Sequence, residues 1–448
     1  MRAGRHTPDR HAPGRHHPGR RPRLRPRLRS AVTAVATALL TLAAATAAVP
    51  AHADDTGDAS ARRDYVLLAP AHVPLTEPGH ELPLDQLLGR IRAMEPGPRE
   101  NHAPRAARRS GQDELPSYEC REQDAAFHDQ GYGKSRFVSC QAFHLHPTHV
   151  ACWWIFCSVT GSADAEMTDI QYGHNARREV DVVQVLDNWR LEGDIAEVPL
   201  SLNVTCTARP GFGPCVVDSG FGGPYVQPIG LWAAEGSVTS RYYSFRQDPA
   251  GGLGTALISY ADLAAHVSVI GEGAANPYDG PNSGIRCDSA PYLITTAAGD
   301  GCVFPWVTET LHIHRSDHPE SADHIVTAQY HPDQTVPDAP GKQIPGAPGA
   351  APLHRVADQA AIDAHRTVAV AACQKYFPDY AHEGLDCDEY PFASTLEGAD
   401  DNLKNYSVEP IHDWDNRGSG GRLSAFYQNR RILGSDLTND PFHVQVDP

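Results

Sequence analysis

A short acidic segment near the C-terminus carries the side chains best suited to chemistry. Residues 385–398 place four carboxylates within twelve positions, and these are Asp386, Asp388, Glu389 and Glu397. Hard divalent cations prefer oxygen ligands, and clustered Asp and Glu side chains are their usual source in proteins. A carboxylate can also act as a general base. The segment therefore indicates a metal-dependent reaction, whereas an acidic loop with an ordinary helix cap is the simpler alternative.

The backbone conformation of this segment decides how its acids are arranged. In an extended strand, the two-residue period would put Asp386 and Asp388 on one face and Glu389 on the other. In a helix that begins at Pro391, Asp388 and Glu389 would lie at the helix N-terminus, where negative charge is favourable. The sequence allows both conformations.

Three segments in the C-terminal third of the chain occur in a recognisable order. They are HPESADHI at residues 318–325, CDEYPFAST at residues 387–395 and DNRGSGG at residues 415–421. Together they resemble the signature segments of the secreted NucA/NucB deoxyribonucleases, over roughly residues 302–448. The resemblance implies a small metal-dependent nuclease domain of the ββα-metal type. It implies nothing about residues 54–300.

The resemblance also implies roles for individual residues. Asp388 and Glu389 would form the catalytic core, one as the base and the other as a metal ligand, with Glu397 and Asn416 completing the site. Which acid has which role stays open. The cofactor would be a divalent cation, Mg²⁺ or Mn²⁺, because these ligands are hard oxygens. His324 would carry a proton or contact a phosphate, or it would be a structural residue. For Asn416 the alternative to a metal ligand is a plain turn.

A group of arginines follows Asn416 without any acidic residue between them. It consists of Arg417, Arg422, Arg430 and Arg431, with Phe426 and Tyr427 interleaved. Guanidinium groups match phosphate oxygens, and aromatic rings can stack on unpaired bases. The pattern predicts a DNA-binding surface, and a solvated helix face is the alternative.

The N-terminus has the pattern of an export signal. Residues 1–29 hold ten arginines and one aspartate, an alanine-rich apolar run follows at residues 31–49, and an A-x-A site ends at Ala53. We expect residues 1–53 to be a signal peptide and the protein to be secreted, with a membrane anchor as the alternative. After removal of the signal no membrane partner is expected, and no protein partner is indicated.

The charge of the mature chain is unfavourable for binding a polyanion. Subtracting ten arginines from 38 basic residues and one aspartate from 55 acidic residues leaves 28 and 54, a net charge of −26. Lys and Arg contacts to phosphates supply most non-specific affinity for DNA. A nuclease must therefore hold DNA through a bound cation and a local basic patch.

Ten cysteines, an even number, fall between Cys120 and Cys387. In an exported chain this predicts disulfide bonds, whose connectivity the sequence does not fix. Short spacings favour sequential pairs, and no CxxC zinc pattern is present. The favoured pairs are Cys120–Cys140, Cys152–Cys157, Cys206–Cys215, Cys287–Cys302 and Cys373–Cys387.

The composition divides the rest of the chain into three regions. Residues 54–117 read as a pro-segment or flexible linker, with one candidate helix at residues 84–94. Residues 118–289 predict a β-rich, disulfide-containing domain of unknown role, with strands at residues 180–191, 198–206 and 237–246. Residues 290–448 predict the nuclease domain. The fold class is thus an α+β, ββα-metal-like nuclease domain preceded by a disulfide-rich, mainly β domain.

Within the nuclease region, two helices and a final strand are predicted. Asp317 and Glu320 resemble a capping box that starts a helix at residues 321–330. The second helix is expected at residues 356–373 and the strand at residues 442–446. A Pro/Gly/Ala-rich loop at residues 332–352 is expected to be mobile, and a polar loop is expected to run up to Asn416. We expect all catalytic groups from Cys302 onward, so that residues 284–448 would suffice for chemistry.

These patterns predict a secreted, metal-dependent endonuclease that hydrolyses the phosphodiester bonds of DNA. One alternative is a secreted binding or adhesion protein whose nuclease-like domain is inactive. Another is a zinc hydrolase acting on a non-nucleic substrate through the His-x-His pairs, His144/His146 and His312/His314. Alternating histidines on a strand share a face and could chelate zinc, although 24 histidines in the chain also make such pairs by chance.

Overall fold

The computed structural model describes most of the chain from Leu115 onward, together with residues 62–69 and 82–83. These two segments form paired strands, whereas the sequence predicts a pro-segment or flexible linker there. The described residues are 62–69, 82–83, 115–128, 130–217, 222–235, 239–271, 277–293 and 299–448. They belong to one compact unit, Asp58–Pro448. The predicted signal peptide and the candidate helix at residues 84–94 lie outside the described residues.

The described part of the chain up to Val303 is mostly strand, because β-branched and aromatic residues recur in it at alternating positions. Its strands and two short helices are, in chain order, β1 Arg62–Ala69, β2 Leu82–Pro83, α1 Ser117–Arg121, β3 Tyr132–Ser135, β4 Val138–Trp153, β5 Phe156–Gly173, β6 Glu179–Gly193, β7 Pro199–Ala208, β8 Cys215–Val217, β9 Tyr225–Pro228, α2 Ile229–Ala234, β10 Thr239–Gln247, β11 Ser259–Val269, β12 Tyr278–Asp279, β13 Ser283–Ser289 and β14 Asp300–Val303.

These strands form two sheets that pack face to face. The first has the order β1-β4-β5-β6-β10-β8, with β2 beside β5 and β3 beside β4. The second has the order β14-β13-β11-β7-β9, with β12 beside β11. Val182 and Phe245 from the first sheet share a buried cluster with Leu263 and Ile285 from the second. This is a β-sandwich, and β6, β7 and β10 coincide with the three predicted strands.

Five disulfide bonds cross-link the described chain, and all five predicted sequential pairs are confirmed. Four of them lie in the sandwich, among them Cys152–Cys157 and Cys287–Cys302. The fifth, Cys373–Cys387, lies in the C-terminal domain. Its partners are 14 residues apart, and a loop of about that length is worth roughly 3 kcal/mol in the chain-entropy model.

The C-terminal domain mixes helices with short strands. Its elements are, in chain order, β15 Glu309–His314, α3 Pro319–Tyr330, β16 Leu353–His354, α4 Gln359–Tyr376, β17 Leu385–Tyr390, β18 Ser407–His412, α5 Asp413–Asn429 and β19 Pro441–Asp447. One sheet has the order β15-β19-β16, and β17 pairs with β18 in a second sheet. The helix predicted at residues 356–373 corresponds to α4, where the Asp358 side chain accepts a hydrogen bond from the backbone N–H of Ala360. The final predicted strand corresponds to β19.

Three local expectations for this domain are wrong. The Asp317/Glu320 capping box does not form, because Glu320 instead accepts hydrogen bonds from the backbone N–H and the ring of His412. The polar loop expected before Asn416 contains β18 and the start of α5. The loop at residues 332–352 packs inward, since Ile344 and Ala347 are buried. Each error arises where a contact distant in sequence decides the local conformation.

A buried network of charges joins the sandwich to the C-terminal domain. Asp440, immediately before β19, accepts hydrogen bonds from Arg286 of β13 at 2.6 Å and from Arg136 at 2.8 Å. Arg431, just after α5, pairs with Asp288 of β13. The relative exposure of each of these five residues is 3% or less. Burial alone would raise the pKa of Asp440, but the two flanking guanidinium groups hold it below its usual value.

This network bears on the expectation that residues 284–448 suffice for chemistry. Such a fragment would lose Arg136, one of the two cations that neutralise Asp440. It would also lose β11, which pairs with β13. The contacts therefore give no support to a C-terminal domain that folds separately from the sandwich.

We predict that Asp440→Asn strongly destabilises the protein, because it removes the carboxylate that two buried guanidinium groups share. Removing one partner of a buried ion pair costs about 3–5 kcal/mol of the free energy of unfolding. Urea denaturation followed by circular dichroism measures this change. Asp436→Asn is the matched control, since Asp436 is exposed on the same loop and its loss should change stability by less than about 0.5 kcal/mol. Equal effects of the two substitutions would contradict a structural role for the network.

Candidate active site

The acidic segment adopts the extended conformation, as strand β17. It pairs with β18 in antiparallel register, so that Asp388 lies opposite Glu409 and Glu389 opposite Val408. Cys387 shares a face with Glu389 and is bonded to Cys373 of α4. Asp388 lies on the other face, towards α3. The helix that could have begun at Pro391 does not form, and the two adjacent acids have different environments.

Asp388 is held by a buried histidine. His324 of α3 is 1% exposed, and its Nδ1 lies 2.7 Å from Oδ2 of Asp388. Its Nε2 lies 2.7 Å from the hydroxyl of Ser407 on β18. An ionised Asp388 can only accept, so Nδ1 donates, and a neutral ring then accepts at Nε2 from Ser407. Both ring nitrogens are occupied, so this geometry favours the structural alternative for His324, which positions Asp388.

Glu389 experiences a different electrostatic environment. Burial of its carboxyl group, followed by the nearby charge of Asp388, raises its pKa to about 7, and the charge of Arg366 on α4 partly opposes this shift. A carboxyl group in this range is partly protonated at neutral pH, which is the condition that general acid–base catalysis favours.

The two remaining members of the predicted site are placed differently. Glu397 accepts hydrogen bonds from the backbone N–H of His354 at 2.9 Å and pairs with its ring at 2.7 Å. Among the described residues, no hydrogen bond links Glu397 to Asp388 or Glu389. Asn416 lies in the first turn of α5, where its Nδ2 is 3.5 Å from the carbonyl oxygen of Cys387. Asn416 therefore lies beside β17, whereas Glu397 is hydrogen-bonded to His354 on β16.

Sequence reasoning missed two acids near this site. Asp415 is fully buried and accepts hydrogen bonds from the backbone N–H groups of Glu320 and Ser321, which caps the N-terminus of α3 from the neighbouring helix. Its place in the DNRGSGG segment was the available signal. Glu409 lies on β18 opposite Asp388, with an exposed side chain. No sequence signal indicated it, because β18 itself was not expected.

The donor chemistry fits a magnesium-like ion better than a zinc-like one. Among the residues that the structure describes, no group of three His, Cys, Asp or Glu side chains is arranged to hold a metal. Mg²⁺ is commonly bound by one or two protein oxygens and completed by water and substrate phosphates. Asp388 on β17 and Asn416 beside that strand could supply such oxygens. Joint ligation of one ion by Asp388 and Glu389 is less favourable, because the two carboxyl groups face different helices.

The predicted DNA-binding arginines separate into two groups. Arg417 and Arg422 are exposed and Arg430 is half-buried, and they form ion pairs with Asp386, Asp317 and Glu309, respectively. Exposed pairs of this kind are weak, so a phosphate could replace the carboxylate. Arg431 is 0% exposed within the buried network, so its assignment to a DNA surface is wrong. Phe426 and Tyr427 pack in the core of the domain and are not available to stack on bases.

An open groove runs along β18. Its volume is about 650 Å³, and its lining includes Thr327 of α3, Ser407 and Glu409 of β18 and Leu385 of β17, but neither Asp388 nor Glu389. Ser407 connects the groove to His324 and Asp388. A phosphate approaching Asp388 and Glu409 would meet two carboxylates, which favours a cation between them and the substrate.

The His-x-His pairs do not form metal sites. His312 and His314 both contact one carboxylate, Asp447, at 2.9 and 3.5 Å. His146 pairs with Asp164 at 2.7 Å. These contacts satisfy the rings through hydrogen bonds, and the zinc-hydrolase alternative has no support.

The fold of the C-terminal domain and its candidate site together indicate a class of protein. The C-terminal domain is an α+β unit in which two paired strands run directly into a helix, and a carboxylate on the first strand is held by a buried histidine. Residues 349–442 match the sequence model of the family deoxyribonuclease NucA/NucB, and the resemblance stated for the C-terminal segment is confirmed. No individual characterised protein matches the chain, and no solved structure does.

We predict that Glu389 makes stability depend on pH. With a pKa of about 7 when folded and an ordinary value near 4.5 when unfolded, the folded state binds more protons between these values, so stability falls as pH rises. Glu389→Gln should remove this slope and, above pH 7, raise the free energy of unfolding by about 1–3 kcal/mol. Urea denaturation from pH 4 to 8 in excess chelator measures this.

The matched control for this prediction is Glu409→Gln, which neutralises an exposed acid on the paired strand. It should leave the pH slope unchanged. A Glu389→Gln protein with the wild-type slope would show that burial does not perturb this carboxyl group.

Proposed function

We propose that this protein is a secreted, metal-dependent endonuclease that hydrolyses phosphodiester bonds of DNA. The observation that carries the proposal is the His324-held Asp388 on β17, within a strand–strand–helix unit that falls in the segment matching the NucA/NucB family. The matched segment covers about a fifth of the chain. The activity proposed for the whole protein is therefore inferred from this site alone.

The position of each residue in the site suggests its role in the reaction. Asp388 and Asn416 would hold a divalent cation of the Mg²⁺ or Mn²⁺ class, which would polarise a non-bridging phosphate oxygen. His324 keeps Asp388 in one orientation by hydrogen bonding, and Ser407 keeps His324 in place. Glu389, on the other face of β17, is the candidate for accepting a proton from water. Arg417, Arg422 and Arg430 would contact phosphates on either side of the cleaved bond.

The disulfide bonds support export. Five of them, with no free cysteine among the described residues, are typical of oxidising compartments. Together with the N-terminal signal pattern, they favour a secreted enzyme. No described helix is long and apolar enough to cross a membrane. The binding-protein alternative is less favourable because Asp388, Glu389 and Asn416 are all retained.

Asp388→Asn should abolish cleavage while the protein stays folded. The substitution keeps the size of the side chain and an acceptor for His324 but removes the charge, and loss of a metal ligand typically costs at least about 100-fold in rate. Nicking of plasmid DNA with Mg²⁺, with and without chelator, measures the activity. Asp386→Asn is the matched control, because it removes one charge from the same face of the same strand, and it should retain most activity.

Two outcomes would overturn the proposed function. One is cleavage by the wild-type protein that persists in excess chelator. The other is a folded Asp388→Asn protein that keeps turnover close to wild type.

Arg422→Ala should weaken DNA binding without changing chemistry at saturation. Each lost phosphate contact reduces the slope of log affinity against log salt by about one unit. Fluorescence anisotropy at several salt concentrations measures this slope. Arg209→Ala is the matched control, since Arg209 is also an exposed, ion-paired arginine but lies in the sandwich. An equal loss in both variants would indicate a general charge effect and no specific surface.

A further inference from the structure

The turn of the β4–β5 hairpin exposes four consecutive large hydrophobic side chains. We call them the aromatic tip, and they are Trp153, Trp154, Ile155 and Phe156, with relative exposures of 59%, 69%, 59% and 39%. They belong to the sandwich and take no part in the candidate active site. Taking about 150–250 Å² for a whole aromatic side chain, the three rings alone expose roughly 250–400 Å². Contiguous apolar patches of several hundred Å² mark interaction sites.

The aromatic tip is preorganised in its exposed position. The disulfide Cys152–Cys157 closes the hairpin directly beneath it. Trp154 has a φ of 60°, a left-handed conformation that bulky residues rarely adopt. These constraints keep the four side chains from folding back onto the sheet. A rigid, outward-pointing apolar group loses little conformational entropy when it is buried by a partner.

The backbone around the aromatic tip is already paired on both sides. Arg62 of β1 lies opposite Trp153, and Leu82 and Pro83 of β2 lie opposite Cys157 and Phe156. Backbone polar groups must be satisfied within the protein wherever water is absent. The end of this hairpin can therefore enter an apolar medium at a lower cost than an unpaired loop.

The hairpin turn itself carries no charge. Residues 150–163 contain no Asp, Glu, Lys, Arg or His, in a chain whose formal net charge is −17, and the nearest charged residues in the pairing are Arg62 and Arg63 of β1, opposite Trp153 and Cys152. No side chain of the turn can therefore form an ion pair with a partner. A neutral segment of fourteen residues with exposed aromatics at its turn fits a surface recognised through apolar burial.

The size and composition of the aromatic tip distinguish a bilayer from a protein. A stable protein–protein interface buries about 800 Å² on each partner, at least about twice what the three exposed rings offer. Tryptophan is enriched at the level of lipid headgroups, where its ring is apolar and its N–H can bond to water or headgroups. We propose that the aromatic tip inserts into the headgroup region of a zwitterionic lipid bilayer and docks the protein on the membrane surface.

This inference departs from the sequence-based expectation that the mature protein has no membrane partner. It requires no membrane-spanning helix, because only the end of one hairpin enters the lipid. It is also independent of the nuclease proposal, since the tip and the acidic strand lie in different parts of the fold.

The test measures binding of the mature protein to phosphatidylcholine vesicles by co-sedimentation and tryptophan fluorescence. We expect a vesicle-dependent blue shift of the emission and quenching by brominated lipid. Trp153→Ser/Trp154→Ser should reduce the partition coefficient at least about tenfold. The matched control is Leu403→Ser, because Leu403 is equally exposed, at 69%, in the C-terminal domain, and it should bind like the wild type. Circular dichroism confirms that each variant is folded.

A second variant covers the case in which the double substitution does not fold. Ile155→Ser removes one apolar side chain from the tip and leaves both tryptophans as probes, so it should weaken binding without losing the signal. Wild-type protein that stays unbound at millimolar lipid would overturn the proposal. So would tip-dependent dimerisation in sedimentation velocity, or tip-dependent binding to an insoluble polysaccharide, in the absence of vesicle binding.

Discussion

The arrangement of the C-terminal domain depends on the neutralisation of Asp440 inside the protein. A carboxylate with this little exposure is stable only because two guanidinium groups from the sandwich bond to it. Asp440 also accepts a hydrogen bond from the backbone N–H of Leu433 at 2.7 Å, and Arg431 lies two residues before Leu433. The network thus fixes the connection from α5 to β19. Since α5 carries Asn416 and the exposed arginines, charges in the sandwich help to position the candidate active site.

Strand alternation gives two adjacent acids different properties. Asp388 faces α3 and is bonded to His324, whereas Glu389 faces α4 and is desolvated beside Arg366. The disulfide from Cys387 to α4 prevents the strand from slipping by one residue, a change that would exchange the two faces. A single covalent bond next to the acids therefore specifies which one is bonded to His324 and which one faces α4.

The features predicted correctly from the sequence are those decided by local pattern. Short cysteine spacings gave the five disulfide pairs, and alternation gave β6, β7 and β10. The features that were missed depend on residues distant in sequence. The cap of α3 comes from Asp415 and not from Asp317, because α5 brings a buried carboxylate to that helix end. Arg431 looked like a DNA contact in a basic segment, but Asp288 of the sandwich buries it. No periodicity in residues 416–431 could have revealed that partner.

The cap on α3 has a consequence for how a phosphate can be received. The free N–H groups and partial positive charge of a helix N-terminus commonly make it an anion-binding site. In α3, both oxygens of Asp415 already occupy the first two of these N–H groups. A carboxylate thus lies where a phosphate would otherwise bind, and this helix end is unfavourable for an anion. In the proposed nuclease, orientation of the substrate would therefore come from exposed side chains of α5 such as Arg417 and Arg422, so that helix would set the polarity with which a nucleic acid crosses this domain.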